Sequence, residues 1–544
     1  MERDNFQSYN ILQPLLLAAS IALGMMVGYK MNDKPENNLV SLHEFPKDST
    51  NQTGRVEELI RFIDGKYVDK IDSDELINEA VHAIFAKLDP HSIYMSPSEV
   101  DETADQMNGA YSGIGIENYF IDDTIIVSSI LKDSPAEKSG IQLFDKIIGI
   151  DGETIAGKKF EYEKIRKMLR KASGQVVNLK LLRDGKPLAQ AIQIAEIPIK
   201  SVSSSILSEI ETAIVKIERF GNQTYKEFME EIERHFKDGK CKHLILDLRD
   251  NPGGYLPEAV NILCQIIEEK ERLLLYTEGR NSKRNEYKST GKRFFNIEKT
   301  VVLIDENSAS ASEIVAGALQ DWDRGIIIGR RSYGKGLVQE QYALQNGGAI
   351  RLTVAKYFTP SGRSIQKDYT DLETYDKDIF NRHTNGDLFY KDSTIVKKSS
   401  KFYTKVHKRL VSGNGGITPD IFIGMSDIYK NEVAFGIKAF IPEFSFRYLI
   451  KNRTAIAQKG NTNAKKAFES EFRDFLNQKL ELKTTDISNL KLDQFWPDVL
   501  THMNDYLETG KGNDSIYTNR DEFLQKAIEV IVNDKKPSDY TTTK

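Results

Sequence analysis

Residues 301–321 read VVLIDENSASASEIVAGALQD, an apolar strand that passes through a short polar turn into a helix. The same pattern recurs on either side. HLILDL at 243–248 leads through a Pro-Gly-Gly turn to a helix near 257–268, and GIIIG at 325–329 is another apolar strand. With AIVKI at 213–217 and a helix near 223–237, strands and helices alternate across this region. Such alternation predicts an α/β core.

Upstream, residues 109–197 are built differently: short β-rich runs (IGIENYF, TIIVSSI, KIIGIDG, VVNLKLLRDG) are parted by Gly, Asp and Pro turns. One helix-like stretch runs from about Phe160 to Lys171. That is a small β domain. Residues 55–88 read as two amphipathic helices, with Val56, Leu59, Ile60 and Ile63 on one face, then Leu76, Ile77, Ala80, Ile84 and Leu88 on another. Gly362 to Gly416 is turn-rich. Beyond about 430 helical periodicity returns, as at Phe523, Leu524, Ala527, Ile528 and Ile531.

At the N-terminus, Ile11 to Tyr29 carries no formal charge and as a helix would reach about 28 Å, one hydrocarbon core. An uncleaved membrane anchor is the expectation. A cleaved signal peptide competes with it, although Glu2, Arg3 and Asp4 are not the basic start such a peptide has, and no clear small-residue cleavage site follows. The polar stretch from Met31 to Gly54 suits a tether.

The chain of 544 residues is too long for one hydrophobic core, and its apolar (40%) and charged (28%) fractions are those of ordered globular domains. Lys plus Arg (75) against Asp plus Glu (80) gives a net charge of −5, with no basic stripe, so nucleic acid is not an expected partner. Cys241 and Cys264 lack the spacing of a zinc site or a disulfide framework and read as small buried hydrophobes.

A serine at the junction of an apolar strand and a helix sits beside unpaired N–H groups and the positive end of the helix dipole, where a forming anion is stabilised. Ser310 suits an acyl-transfer nucleophile, yet Ser308, Ser310 and Ser312 also suit plain helix caps. The segment RSYGKGLVQEQ at 331–341 follows the next apolar strand. From Gly329, GRRSYGK matches the first seven places of a phosphate-binding loop, but Gly336 stands where Ser or Thr is needed, and a strand follows instead of a helix. A nucleotide site is therefore not expected. Lys335 suits instead a general base, because burial can lower a lysine's pKa by up to about 3–5 units from ~10.4 and leave a neutral amine to take a serine proton. The glycines of LDLRDNPGG at 246–254 can aim an amide at an oxyanion, or simply form a tight turn. In YSGIGIENYF at 111–120, a Gly-containing loop followed by a strand suits capture of a peptide carboxylate, or is a bland β-turn.

Together, LDPHS at 88–92, YSGIGI, SPAEKSGI, LDLRDNPGG, SASASEI and YGKGLVQ resemble, in words and in order, the C-terminal processing (tail-specific) peptidases of the S41 serine peptidase family, across about 55–420. The resemblance implies Ser310 as nucleophile, Lys335 as general base, Gln339 as the residue that orients Lys335, and the amides of Gly254 and Ala311 as the oxyanion hole. It implies that Ile114, Gly115 and Ile116 of a PDZ-like domain receive the substrate carboxylate, and that neither a metal nor another cofactor is needed.

The implied fold is α/β (α+β) and multidomain: a Clp/crotonase-like protease core with an inserted β-rich PDZ domain, an N-terminal helical segment and a helical C-terminal extension. The boundaries expected are 1–30 (anchor or signal), 31–54 (tether), 55–108 (helical region), 109–197 (PDZ-like), 198–425 (peptidase core) and 426–544 (extension). The implied enzyme is an endopeptidase held in the cell (inner) membrane by a single-pass anchor, with its catalytic domain extracytoplasmic or periplasmic. Its implied partners are proteins with exposed C-terminal tails, and the helices beyond 426 are expected to dimerise, bind an adaptor or shape access. A silent PDZ scaffold and a thioester hydrolase are the competing classes, against which stand the intact Ser310, Lys335 and Gln339 set and the tail-binding module respectively.

Overall fold

The computed structural model describes residues 55–391, 401–459, 461–479, 487, 490–508 and 521–540. The apolar run 11–29 and the polar stretch 31–54 lie outside the described residues; among the described residues no helix is long and apolar enough to cross a membrane. The chain divides into two units at Ala83/Ile84. Helix Arg55–Lys66 and the greater part of helix Ser73–Phe85 make up the described part of the first, where the Ser73 hydroxyl donates to Asp64 at 2.8 Å.

The second unit is organised by a six-stranded sheet in the order Val202–Leu207, Thr212–Ile217, His243–Asp247, Lys299–Ile304, Ile326–Gly329, Ile421–Phe422. The first pair is antiparallel and the others are parallel. Side chains alternate across the sheet with a period of two. Val215, Leu246, Val302 and Ile327 face helices Thr224–Phe236, Leu256–Ile266 and Ala311–Asp321 in one core. Ile214, Ile245, Val301, Leu303 and Ile328 face the other way, onto Leu524, Ala527, Val530 and Ile531 of helix Glu522–Val532. Both faces are thus dry, which is why LIL at 244–246, VVLI at 301–304 and III at 326–328 read as unbroken apolar runs. Cys241 and Cys264 are buried free thiols in the first core.

A second sheet joins Ile93–Met95, Leu337–Ala343, Ala349–Phe358, Leu273–Glu278 and Asn285–Lys288. Its central strand, Ala349–Phe358, brings together segments that are remote in sequence: the turn after Leu88, and the strand that follows Lys335.

The β-rich domain is a six-stranded sheet with Ile116–Ile121 at one edge and helix Tyr162–Leu169 beside it. Strands Ala110–Gly113 and Ala195–Pro198 pair antiparallel, so the chain enters and leaves this domain at one point.

The stretch 426–544, read from sequence as one extension, divides into two parts. Helices Ile441–Lys459, Asn461–Lys479 and Trp496–Glu508 share an aromatic core that includes Phe444, Phe468, Phe472, Phe475, Phe495 and Trp496. Phe446 points away from that core, into the β-rich domain. It is buried with Ile121 and Ile126, stacks on Tyr119 at 4.8 Å, and lies beside Tyr506, whose hydroxyl meets that of Tyr119 at 2.6 Å. The last helix, by contrast, is a layer of the peptidase core.

Candidate active site

The turn that carries Ser310 is fixed by its neighbours. Asp305 accepts the amides of Asp250, Asn307 and Ser308 at 3.0, 3.1 and 3.1 Å. Ser308 and Ser312 are fully buried, and their hydroxyls donate to the carbonyls of Leu248 (2.8 Å) and Asn251 (3.0 Å). Those two serines are structural. The Ser310 hydroxyl donates to no acceptor among the described residues and is half-buried. Its backbone adopts φ 53° and ψ −111°, a conformation that costs a non-glycine residue about 1–3 kcal/mol and has to be held by its surroundings.

The holding group is Glu313, one turn into the helix and wholly buried. Its Oε2 accepts the amides of Ser310 (2.9 Å) and Lys335 (2.8 Å), and its Oε1 accepts the amide of Gly334 (2.7 Å) and the Ser332 hydroxyl (2.5 Å). On the other side the buried Tyr357 hydroxyl donates to Lys335 O at 2.6 Å and lies 3.1 Å from Ser310 O. The backbones of Ser310 and Lys335 are therefore tied together twice. Burial lowers the Lys335 pKa, the charge of Arg351 lowers it further, and Glu313 and Asp89 oppose the shift. No hydrogen bond joins the Ser310 hydroxyl to the Lys335 amine among the described residues.

Gln339, expected to orient Lys335, reaches the LDPHS turn. A bulge between Val338 and Gln339 sets it opposite Thr353, and its side-chain nitrogen donates to the carbonyl of His91. The LDPHS turn, which the sequence reading used only as an element end and a family word, is thereby part of the site. Asp89 braces it, accepting the amides of His91 (2.9 Å) and Ser92 (3.0 Å) and the hydroxyls of Ser92 (2.5 Å) and Thr353 (3.0 Å). Burial, followed by the charge of Lys335, lowers the His91 pKa to about 4, so this imidazole is neutral near pH 7.

The Pro-Gly-Gly turn lies against the serine. A Cβ on Gly253 would come 2.7 Å from Ser310 Cβ and 2.9 Å from Ala311 N, and one on Gly254 would come 2.1 Å from Phe220 O. Only glycine permits this approach. The buried Asn251 locks the turn, donating to Ile217 O (2.7 Å) and accepting the Gly253 amide (2.8 Å). Among the described residues the amides of Gly254 and Ala311 have no acceptor, which leaves both N–H groups for an oxyanion.

In the β-rich domain, the carbonyls of Ile114 and Gly115 accept the amides of Ala136 (2.8 Å) and Leu131 (3.0 Å). Gly115 has φ 83°, and a Cβ there would come 2.3 Å from Ser134 Cβ. Ile116 opens the edge strand, opposite Ile130.

The model of peptidase family S41 matches residues 211–373, and that of the PDZ domain matches residues 112–194. The carboxy-terminal processing protease CtpB of Bacillus subtilis is 32% identical over 343 residues, 62% of this chain and 70% of that protein. The carboxy-terminal-processing protease of Bartonella bacilliformis is 35% identical over 323 residues, 58% of this chain and 73% of that one. The chain belongs to peptidase family S41. A probable CtpA-like serine protease of Staphylococcus haemolyticus is 28% identical over 365 residues, 67% and 72% of the two chains.

This S41 serine peptidase carries site residues that the sequence reading did not assign, among them Glu313, Tyr357, Asp89 and His91. Glu313 could have been found, since an acid in the first turn of a buried helix directly after a candidate nucleophile has few uses other than bonding backbone. Tyr357 lies in another sheet, and only the pairing of Leu337–Ala343 with Ala349–Phe358 brings it to the site.

Proposed function

We propose that the protein is a serine endopeptidase that uses a Ser310–Lys335 dyad to cut other proteins near their C-terminal tails. Neutral Lys335 Nζ takes the proton of the Ser310 hydroxyl as Oγ attacks the scissile carbonyl. The oxyanion is met by the amides of Gly254 and Ala311, and the protonated Lys335 then gives its proton to the leaving amine. Water activated by the same amine hydrolyses the acyl-enzyme.

The observation that carries this reading is the double tie between Ser310 and Lys335 through Glu313 and Tyr357. The tail carboxylate is assigned to the loop Ile114–Gly115–Ile116, and among the described residues the adjoining strand Ile116–Ile121 is paired on one side only, which suits addition of a peptide as a further strand. Docking of the tail then draws the serine hydroxyl and lysine amine into contact.

The uncharged run 11–29 supports a single-pass anchor in the cell membrane with the catalytic domain extracytoplasmic. The test is cleavage of a protein with an apolar tail by the wild type and by Ser310→Ala and Lys335→Ala. Both variants are expected to be inactive; persistent cleavage by either one contradicts the assignment.

A further inference from the structure

We propose that Arg382, which lies beyond the stretch matched by the peptidase family, is a positioning residue for the base Lys335. The inference rests on the Ser310–Lys335 reading and names what holds the carbonyls of the lysine's loop, as Glu313 holds its amides.

Lys335 stands between Gly334 and Gly336, and Gly334 has φ 90°, so the loop has little stiffness of its own and is shaped by what bonds to it. The amides of Ser332 and Tyr333 donate to Ile417 O (3.1 Å) and Ser308 O (3.0 Å), and those of Gly334 and Lys335 donate to Glu313. The carbonyls converge on one side chain. Arg382 Nη1 donates to the carbonyls of Arg331 (3.0 Å) and Ser332 (2.9 Å), and its Nη2 donates to that of Tyr333 (3.1 Å). Three consecutive carbonyls, ending two residues before Lys335, are thus gathered by one planar fork, a geometry that a lysine ammonium does not reproduce.

Arg382 is only 3% exposed. A guanidinium so far withdrawn from water has to be compensated, and Asp378, one turn earlier on helix Asp378–Thr384, pairs with its Nε at 3.0 Å. That helix is in turn seated on the C-terminal aromatic core. Ile379 and Leu388 pack against it, His383 Nε2 lies 2.7 Å from Tyr429 O, and the His383 ring lies 4.5 Å from that of Phe435. The base loop is therefore held from two sources: from the peptidase core through Glu313, and from an element that the C-terminal helices support through Arg382.

The test compares Arg382→Lys and Asp378→Asn with wild type on one tailed peptide, with each enzyme's concentration corrected for its folded fraction from a denaturant curve. Arg382→Lys keeps the charge and loses the fork; Asp378→Asn keeps Arg382 and loses the anion that aims it. Arg351, Glu313 and Asp89, the charges that act on Lys335, stay in place in both. For Arg382→Lys, kcat is expected to fall by about 10²-fold, with KM changed by less than about threefold. Asp378→Asn is expected to lose about tenfold in kcat. Burial is the chief cause that lowers the Lys335 pKa, so a loosened loop admits water and the pH–rate inflection is expected to move up in both variants.

Wild-type kcat and inflection in folded Arg382→Lys overturn the proposal, as does a raised KM with kcat unchanged. Lower stability with kcat per folded molecule and inflection unchanged confines Arg382 to holding the fold and also overturns it. If Arg382→Lys does not fold, Asp378→Asn decides by the same readings. A failure of the dyad reading would appear separately, as cleavage surviving Lys335→Ala.

Discussion

The amides of Ser310 and Lys335 share one acceptor, Oε2 of Glu313, at 2.9 and 2.8 Å. One buried carboxylate thus fixes the strained turn of the proposed nucleophile and the loop of the proposed base. Distortion of either would be felt by both.

Glu313→Gln keeps the shape but replaces half of an acceptor-only group with an N–H donor, so at least one of the four donors now bonded loses its partner. Lost charge-assisted hydrogen bonds are worth about 1.5–3 kcal/mol each, and displacement of reacting groups by about 1 Å costs on the order of 10²-fold. The expected result is a kcat/KM lower by about 10²-fold and a stability lower by about 2–4 kcal/mol, read from peptide kinetics and urea unfolding. An active, equally stable variant would remove Glu313 from the account.

Lys335 must be neutral to act, so kcat/KM is expected to rise with pH through an inflection below the ordinary lysine value of ~10.4. The sign for stability follows from the lowered pKa: the unfolded chain binds the proton more readily than the folded one, so the penalty is present at neutral pH and is relieved as pH rises toward ~10.4. Lys335→Met is therefore expected to be inactive yet no less stable than wild type at pH 7, as measured by denaturant midpoint.

His91 has a folded pKa of about 4 against 6.5 in the unfolded chain. Between those values the unfolded state holds more protons, so the wild type is expected to lose stability as pH falls from 6.5 toward 4. His91→Gln removes that contribution, and urea titrations at pH 4.5 and 7 should show a shallower slope in the variant. Equal slopes would mean that the imidazole is not kept neutral.

At Gly115 any side chain meets Ser134 and a left-handed backbone at once. Gly115→Ala is expected to raise KM for tailed substrates severalfold while leaving untailed substrates unaffected. The same loss on both substrate kinds would show that the loop does not bind the tail.

What was legible in the sequence was what is local. VVLI at 301–304, LIL at 244–246 and III at 326–328 are apolar throughout because both faces of the parallel sheet are covered, and periodicity alone places Ser310 at a strand–helix junction. The role of Phe523, Leu524, Ala527 and Ile531 was not legible: their amphipathic pattern showed a helix, but nothing local says that it closes a sheet whose strands lie between residues 202 and 422. For the same reason Tyr357 and His91 went unassigned beside Lys335, since long-range pairing of strands, and not spacing, carries them there. The bond from Gln339 to the carbonyl of His91 was likewise not legible, because it joins segments about 250 residues apart.

The most direct measurement is the separation of Ser310 Oγ and Lys335 Nζ in a crystal structure of the protein with a tailed peptide bound to the PDZ domain and the active site. The expected result is hydrogen-bond contact, about 2.6–3.2 Å, with the scissile carbonyl oxygen against the amides of Gly254 and Ala311. A peptide-filled site in which the hydroxyl and the amine stay well beyond that distance, with no water between them, would contradict it.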